Sequence, residues 1–138
     1  MENSKAAFNI IVSSIQVLAA EHGFEIWGNF PHEVEKLKKL ILKSNAKGVL
    51  LLSGDRHISE FSKTTVATLS FPLIDFTSSG LTHAYKDFTN EKNKYRVKGV
   101  ISEISFGILK FDFETHKITM QMRGKNNKLL QELFQVYP

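Results

Sequence analysis

Three short, mostly apolar runs separated by polar segments dominate the first part of the chain. They occupy residues 8–15, 49–52 and 71–77. Such runs are typical of β-strands that are covered on both faces. We therefore expect three buried strands, with the first of them in the middle of a sheet.

A helix is predicted between the first two runs. After a loop at residues 18–31, Pro31 suits the first turn of a helix. The apolar positions that follow at helical spacing are Val34, Leu37, Leu40 and Ile41. Strand, helix and strand make a βαβ unit, so the first two strands are expected to be parallel. Residues 58–63 could form a short second helix.

The remainder of the chain is more polar and ends in alternating segments. Residues 81–100 carry a local excess of positive charge and indicate an exposed loop. Apolar and polar residues alternate over 109–113 and 118–122, which predicts an antiparallel β-hairpin with one wet face around a turn at 114–117. The leucines of residues 126–136 form an apolar stripe that predicts a terminal helix.

Composition bounds the class of protein and its chemistry. The chain has 138 residues, 42% of them apolar and 23% charged, so we expect one α/β domain over residues 1–138. The absence of cysteine excludes disulfides, zinc–thiolate sites and thiol nucleophiles. The apolar runs are far shorter than the ~20 residues that span a bilayer, and the N-terminal segment predicts no signal peptide. The net charge of +4 permits an anionic ligand without requiring one.

The turn Gly54-Asp55-Arg56-His57 directly follows the second apolar run. Ligands bind at the carboxyl ends of strands in open α/β sheets, so a site is expected here. Asp55 offers an oxygen ligand, His57 an imidazole for metal binding or proton transfer, and Arg56 a contact to phosphate oxygen. The alternative interpretation is a surface turn in which Asp55 caps a helix that begins near His57.

A second polar turn, Ser78-Ser79-Gly80-Leu81-Thr82-His83, follows the third run. Hydroxyls and backbone amides in such a turn can hold an anion, and an ordinary serine/threonine turn with an exposed histidine is the favoured alternative. A serine nucleophile could also be assembled from Ser78 or Ser79, His57 or His83, and Asp55 or Asp75. The Gly-x-Ser-x-Gly elbow is absent, which argues against that mechanism.

Five segments follow one another in a specific order. They are Ile11-Val12-Ser13-Ser14-Ile15-Gln16, Trp27-Gly28-Asn29-Phe30-Pro31-His32-Glu33, Val49-Leu50-Leu51-Leu52-Ser53-Gly54-Asp55-Arg56-His57, Ser78-Ser79-Gly80-Leu81-Thr82 and Phe106-Gly107. Together they resemble the C-terminal part of alkaline phosphatase D-like metallophosphoesterases, of the calcineurin-like phosphoesterase superfamily. The similarity spans residues 8–124, most of the chain.

The resemblance implies half of an αββα sandwich, a mixed sheet with the βαβ unit and a C-terminal antiparallel hairpin. It implies metal-dependent hydrolysis of phosphomonoesters or phosphodiesters in the intact enzyme, with iron, calcium or manganese as the metal. By the matching motif, Asp55 resembles a metal ligand, and His57 a metal ligand or phosphate contact with a catalytic role. The candidate substrate-binding residues are Arg56, Ser78, Ser79 and His83. No nucleic-acid specificity is expected, and members of the family are often exported.

The chain departs from this family in one large respect. The family's earlier metal-binding motifs precede the segment that resembles residue 8 onward, and here only seven residues precede it. A two-metal centre needs more ligands than Asp55 and His57 supply, and His83, Asp75 and Glu33 are remote additions. We therefore expect the C-terminal portion of such an enzyme, with weak or no activity alone. Its apolar faces would be covered by the missing N-terminal half or by a second copy.

Two other interpretations stay open at this point. The chain could be a non-catalytic α/β module that binds an anion or a protein partner, which the shortage of ligands and the positive charge favour. It could also assemble a metal site between subunits of an oligomer, although the residues that would complete such a site are not evident in the sequence.

Overall fold

The described part of the chain folds into one α-helix, a mixed five-stranded sheet and an antiparallel three-stranded sheet. The computed structural model describes residue 1 and residues 3–138. The elements are β1 (Asn9–Val12), α1 (Pro31–Ser44), β2 (Val49–Ser53), β3 (Ser59–Thr64), β4 (Leu73–Ser78), β5 (Arg96–Ile101), β6 (Phe106–Asp112), β7 (Lys117–Arg123) and β8 (Leu129–Val136). The predicted mixed α/β class, with a βαβ unit and a C-terminal antiparallel hairpin, is confirmed, and the hairpin belongs to a separate three-stranded sheet.

The predicted βαβ unit is present. Strand β1 pairs in parallel with β2, which in turn pairs in parallel with β4. Pro31 occupies the first turn of α1. Backbone N–H groups in the first turn have no acceptor within the helix, so proline, which has no N–H, loses no hydrogen bond there. The helix ends at Ser44, and the Asn45 that follows adopts a left-handed conformation with φ of 51°, a common way to terminate a helix.

Strand β1 lies at the edge of the sheet, whose order is β1-β2-β4-β3-β5. The expectation that it would be a central strand is therefore wrong for this chain. Only residues 9–12 of the apolar run are paired, and the Val12 side chain at its end is 76% exposed. The more continuously apolar β2 takes the inner position, where Val49, Leu50 and Leu51 are fully buried.

Residues 59–63 belong to a strand, so the short helix predicted over residues 58–63 is wrong. Strand β3 runs antiparallel between β4 and β5, with Phe61 opposite Phe76 on one side and Val97 on the other. Strand β4 pairs with the whole of this segment and β5 with part of it, across a bulge between Ser59 and Phe61, and this pairing outweighs any local preference for a helix. Strand β5 begins inside the segment at 81–100, so the expectation of an exposed loop is wrong for residues 96–100, which belong to a strand that pairs with β3.

The predicted hairpin is confirmed as β6 and β7, but the predicted terminal helix is wrong. Residues 129–136 form β8, which pairs antiparallel with β7. Asn126 and Asn127 adopt left-handed conformations and turn the chain back on itself. The strand register places Leu109, Met120 and Leu133 side by side.

One apolar core fills the space between the two sheets. Ile118, Met120 and Met122 of β7 are fully buried in the same cluster as Leu50 of β2 and Ile74 of β4. Burial of each such side chain stabilises the fold by about 1.5–3 kcal/mol. No helix among residues 1 and 3–138 is long and apolar enough to cross a membrane.

Candidate functional site

Three polar segments meet at one edge of the five-stranded sheet. Strands β1, β2 and β4 are parallel neighbours, so their carboxyl ends lie together. At Gly54 a Cβ atom would lie 3.5 Å from the Ser14 carbonyl oxygen and 3.8 Å from the Ser79 Cβ atom. The structure therefore brings together the segments that follow β1, β2 and β4, at the edge where open α/β sheets bind ligands.

The turn at residues 54–57 is tight and strained. Asp55 and His57 both have positive φ angles, 69° and 54°, a conformation that costs L-residues about 1–2 kcal/mol. Between them, the Arg56 amide donates to the Gly54 carbonyl oxygen at 2.9 Å. Asp55 and His57 are exposed, whereas Arg56 is buried. The segment continues into β3, so no helix begins here and the capping interpretation of Asp55 is wrong.

Arg56 is enclosed by two residues from distant segments. Its Nη2 atom donates to Oε2 of Glu91 at 2.5 Å, and its guanidinium carbon lies 4.0 Å from the ring centroid of Phe24. The residue is only 6% exposed, and its buried Nε atom has no hydrogen-bond partner in the part of the chain that the structure describes. The contact to phosphate that the sequence predicts for Arg56 stays a prediction, since the guanidinium is covered in this conformation.

His83 joins His57 from the neighbouring turn. The two exposed rings have centroids 5.0 Å apart and planes at 85° to each other. The amide and hydroxyl of Ser79 both donate to the Ile58 carbonyl oxygen, at 3.1 and 3.2 Å. Ser79 therefore ties the second turn to the start of β3, and the two predicted turns present their histidines on one surface.

A groove of about 490 Å³ opens beside this edge, between the ends of β1, β2 and β4 and strand β6. Its walls are mostly apolar and include Val12, Phe76 and Leu109, while Ser78 contributes a hydroxyl. Such a lining suits an organic group better than a bare phosphate.

Asp75 lies inside the sheet and holds the segment after β1. It is 1% exposed; its Oδ1 atom accepts from Ser53 at 2.7 Å, and Oδ2 accepts from the amides of Val17 and Leu18 at 2.7 and 3.0 Å. Burial raises the pKa of Asp75 above its usual value, and these hydrogen bonds act in the opposite direction. No histidine bonds to this carboxyl among the described residues, so a Ser/His/Asp arrangement is not assembled around it.

Sequence reasoning missed a buried polar network behind the 54–57 turn. Glu60 on β3 is 1% exposed and accepts from Gln16 at 2.5 Å, Asn93 at 3.1 Å and Arg96 at 2.5 Å. Arg96 also donates to the carbonyl oxygen of Glu91, the partner of the Arg56 side chain. The only signal of this network in the sequence is a carboxylate next to an aromatic residue in Ser59-Glu60-Phe61. A helix at residues 58–63 would leave that carboxylate without a buried role.

The side chains at this edge include ligand types that metal ions accept, but not a complete ligand set. The carboxylate of Asp55 and the imidazoles of His57 and His83 are ligands that iron and manganese accept. Within residues 1 and 3–138, however, no three His, Asp or Glu side chains are grouped closely enough to hold an ion. Asp75 is enclosed in the sheet, and Glu33 pairs with groups on α1. A metal centre here therefore needs further ligands.

No model of a known protein family matches the chain, and no curated protein matches it. Among solved structures it is similar to one described as "Structure of PhoD", with a TM-score of 0.63 and 14% sequence identity. The match covers 98% of this chain and 29% of that chain. The chain therefore has the fold of one part of a PhoD-like (alkaline phosphatase D-like) protein and spans less than a third of that protein's length.

Proposed function

We propose that the chain is the C-terminal portion of an alkaline phosphatase D-like, metal-dependent phosphoesterase that hydrolyses phosphomonoesters or phosphodiesters when intact. The observation that carries this proposal is the strained turn at residues 54–57, which presents Asp55 and His57 at the carboxyl edge of the sheet. Residues other than glycine that are held in left-handed conformations concentrate at functional sites. The PhoD-like fold over nearly the whole chain supports the same assignment.

The proposal assigns a role to four polar side chains at this edge. Asp55 is a metal ligand, and His57 is a metal ligand or a contact to the phosphoryl group. His83 lies beside His57 and binds substrate, together with Ser78 at the groove. A bound metal would polarise the phosphoryl oxygens and activate water. The mostly apolar groove then accommodates the organic part of the ester.

The chain alone is expected to have weak activity or none. Two adjacent turns provide one carboxylate and two imidazoles, while calcium alone takes about 6–8 oxygen ligands. The remaining ligands would come from the N-terminal half of such an enzyme or from another subunit. The exposed Val12 side chain on the edge strand β1 lines the same groove as Gly54, the residue before Asp55, and a partner that completes the site would have to dock there.

The proposal is tested first by metal binding at the turn. Mn²⁺ titrated into the chain should broaden the ring NMR signals of His57 and His83 before those of His116, which lies in an exposed turn of the three-stranded sheet. Asp55→Asn should weaken this broadening because it removes the anionic ligand. Equal broadening of all three histidines would overturn the assignment of Asp55 and His57 as metal ligands.

Hydrolysis of a chromogenic phosphodiester and a monoester tests the second part. With iron, manganese or calcium supplied, the chain is expected to show no turnover above that of Asp55→Asn. Turnover that is lost in Asp55→Asn would mean that the chain builds a working site by itself. The view of it as an incomplete portion would then be wrong, although the assigned chemistry would stand.

A second candidate function is a non-catalytic module that binds an anion or a protein. The mostly apolar groove and the incomplete ligand set favour it. Uniform broadening of the histidines by Mn²⁺, together with saturable binding of a metal-free oxyanion such as sulfate, would support this function over the phosphoesterase.

A further inference from the structure

His22 occupies the outer end of the buried polar network. Its Nε2 atom lies 2.9 Å from Oε1 of Gln16, and its Nδ1 atom accepts from the amide of Phe24 at 3.3 Å. The side-chain nitrogen of Gln16 donates to Glu60 and Thr77, so the Gln16 oxygen is the acceptor and Nε2 of His22 carries the proton. The geometry therefore requires a neutral His22 with a bare Nδ1 atom.

The same segment covers a buried cation. The Phe24 ring lies 4.0 Å from the guanidinium carbon of Arg56 and also contacts the ring of Tyr85. Among the described residues, Arg56 has one charged partner, Glu91, and its Nε atom has no hydrogen-bond partner. The position of Phe24, which hides this guanidinium from solvent, is fixed in part by the hydrogen bond from its amide to His22.

A proton on Nδ1 of His22 would abolish that hydrogen bond, because both atoms would then be donors. The surroundings also disfavour the charged ring. Burial lowers the pKa of His22 below its usual value, and the charge of Arg56 lowers it further. Arg96 acts in the same direction, more weakly.

Two carboxylates act in the opposite direction, Glu91 and Glu60. Glu91 is already paired with Arg56, and Glu60 with Arg96. The nearby Glu21 carboxylate accepts from the amide of Lys94. The carboxylates that could stabilise a charged His22 are thus already paired with other groups. The neutral state of His22 is therefore favoured near pH 7.

We propose that residues 22–24 form an acid-released cover over Arg56, which binds an oxyanion once protonation of His22 has freed Phe24 from the guanidinium. The free Nε atom and the Nη1 atom of Arg56 would supply the contacts, beside the turn at residues 54–57. The opening does not depend on the proposed function. Only the identification of the natural oxyanion as a phosphate ester rests on it.

NMR titration between about pH 5 and pH 8, the range in which histidine changes charge, tests the opening. The Phe24 amide signal should shift with the His22 ring signal, at a midpoint below the usual histidine value of 6.5. His22→Asn keeps an acceptor near the position of Nδ1 but cannot be protonated, so it should abolish the shift. His32→Asn is the matched control, because His32 is an exposed histidine on α1, and it should leave the shift unchanged.

Sulfate, whose charge is constant over this range, tests the availability of Arg56. Removal of a cation–π cover should make sulfate binding about fivefold tighter at the acid end in the wild-type chain. His22→Asn should show no such gain, and Phe24→Ala should bind tightly at both ends of the range. Arg56→Lys should weaken sulfate binding at the acid end of the range, because the ammonium group of lysine does not reproduce the forked donors of a guanidinium.

Four results would each overturn the proposal. They are a midpoint at or above 6.5 for His22, a Phe24 shift that persists in His22→Asn, equal sulfate affinity at both pH values, and loss of the far-UV circular dichroism signal over the same range. The last would mean global unfolding instead of a local opening. Failure of Mn²⁺ to select His57 would count against the proposed phosphoesterase alone.

Discussion

The Ser53 hydroxyl donates to the Oδ1 atom of Asp75 at 2.7 Å and so links β2 to β4 inside the sheet. The other oxygen of Asp75 receives the amides of Val17 and Leu18. One buried carboxyl thus fixes the segment after β1 onto the two strands whose ends carry the candidate site. The position of the turn at residues 54–57 relative to the segment after β1 depends on this group.

Asp75→Ala is expected to destabilise the chain by about 2–5 kcal/mol, because it leaves two buried backbone amides without acceptors. Urea unfolding followed by circular dichroism measures the loss. Asp75→Asn is the control: its oxygen can accept from the two amides while its nitrogen donates to Ser53, so its loss should be smaller, about 1–2 kcal/mol. Equal losses in the two variants would contradict the role assigned to Asp75.

The titration of Asp75 should make the free energy of unfolding depend on pH. Burial raises its pKa in the folded state above the unfolded value of 3.8. The stability that protonated Asp75 contributes to the fold is therefore fully present below pH 3.8 and is lost as the pH rises through the folded pKa. The unfolding free energy of the wild type relative to Asp75→Asn should fall over that window. A relative stability that rises with pH would mean that the hydrogen bonds outweigh burial.

The elements that the sequence predicts well are those whose local signals agree with each other. Val49, Leu50 and Leu51 are apolar in succession, and Pro31 marks the start of the helix that precedes them. Strand β3 was missed because Glu60 and Ser62 are polar yet buried, and their partners come from distant segments. Neither partner is visible in a pattern of hydrophobicity.

Strand β8 shows a different limit. Leu129, Leu130, Leu133 and Phe134 fit a helical stripe as well as a strand. The choice is made by β7, whose free edge offers a hydrogen-bond ladder, and by the left-handed turn at Asn126 and Asn127. A short apolar segment at the end of a chain is therefore decided by tertiary pairing and not by its own spacing.

The location of the candidate site could be predicted, but its internal geometry could not. Parallel strands place the turns at residues 54–57 and 78–83 at one edge, and the contact between His57 and His83 lies there. The burial of Arg56 depends on Phe24 and Glu91, which come from other parts of the chain. No spacing rule relates these three residues, so the cover over Arg56 appears only in the folded structure.

Gly48→Ala is expected to destabilise the fold by at least about 2 kcal/mol. Gly48 has φ of +52°, and a Cβ atom there would lie 2.4 Å from the Ala7 carbonyl oxygen, so the backbone before β1 would have to move. Thermal unfolding measures the effect. Gly23→Ala is the matched control, since nothing lies within 4 Å of its Cβ position, and it should change stability by no more than about 0.5 kcal/mol. Similar losses in both variants would contradict this reasoning.

His57→Gly is expected to stabilise the chain while it removes the candidate metal-binding imidazole. Glycine relieves the left-handed strain at φ of 54°, which should stabilise the chain by about 1–2 kcal/mol. Its greater conformational freedom in the unfolded state reduces this gain by about 0.5–1 kcal/mol. His116→Gly is the matched variant, with φ of 48° in an exposed turn. Urea unfolding should show a gain for both, whereas only His57→Gly should lose the broadening of the His83 signal by Mn²⁺. That result would mean that the strain at His57 is retained for function. Destabilisation by His57→Gly alone would instead show that the imidazole itself holds the turn together.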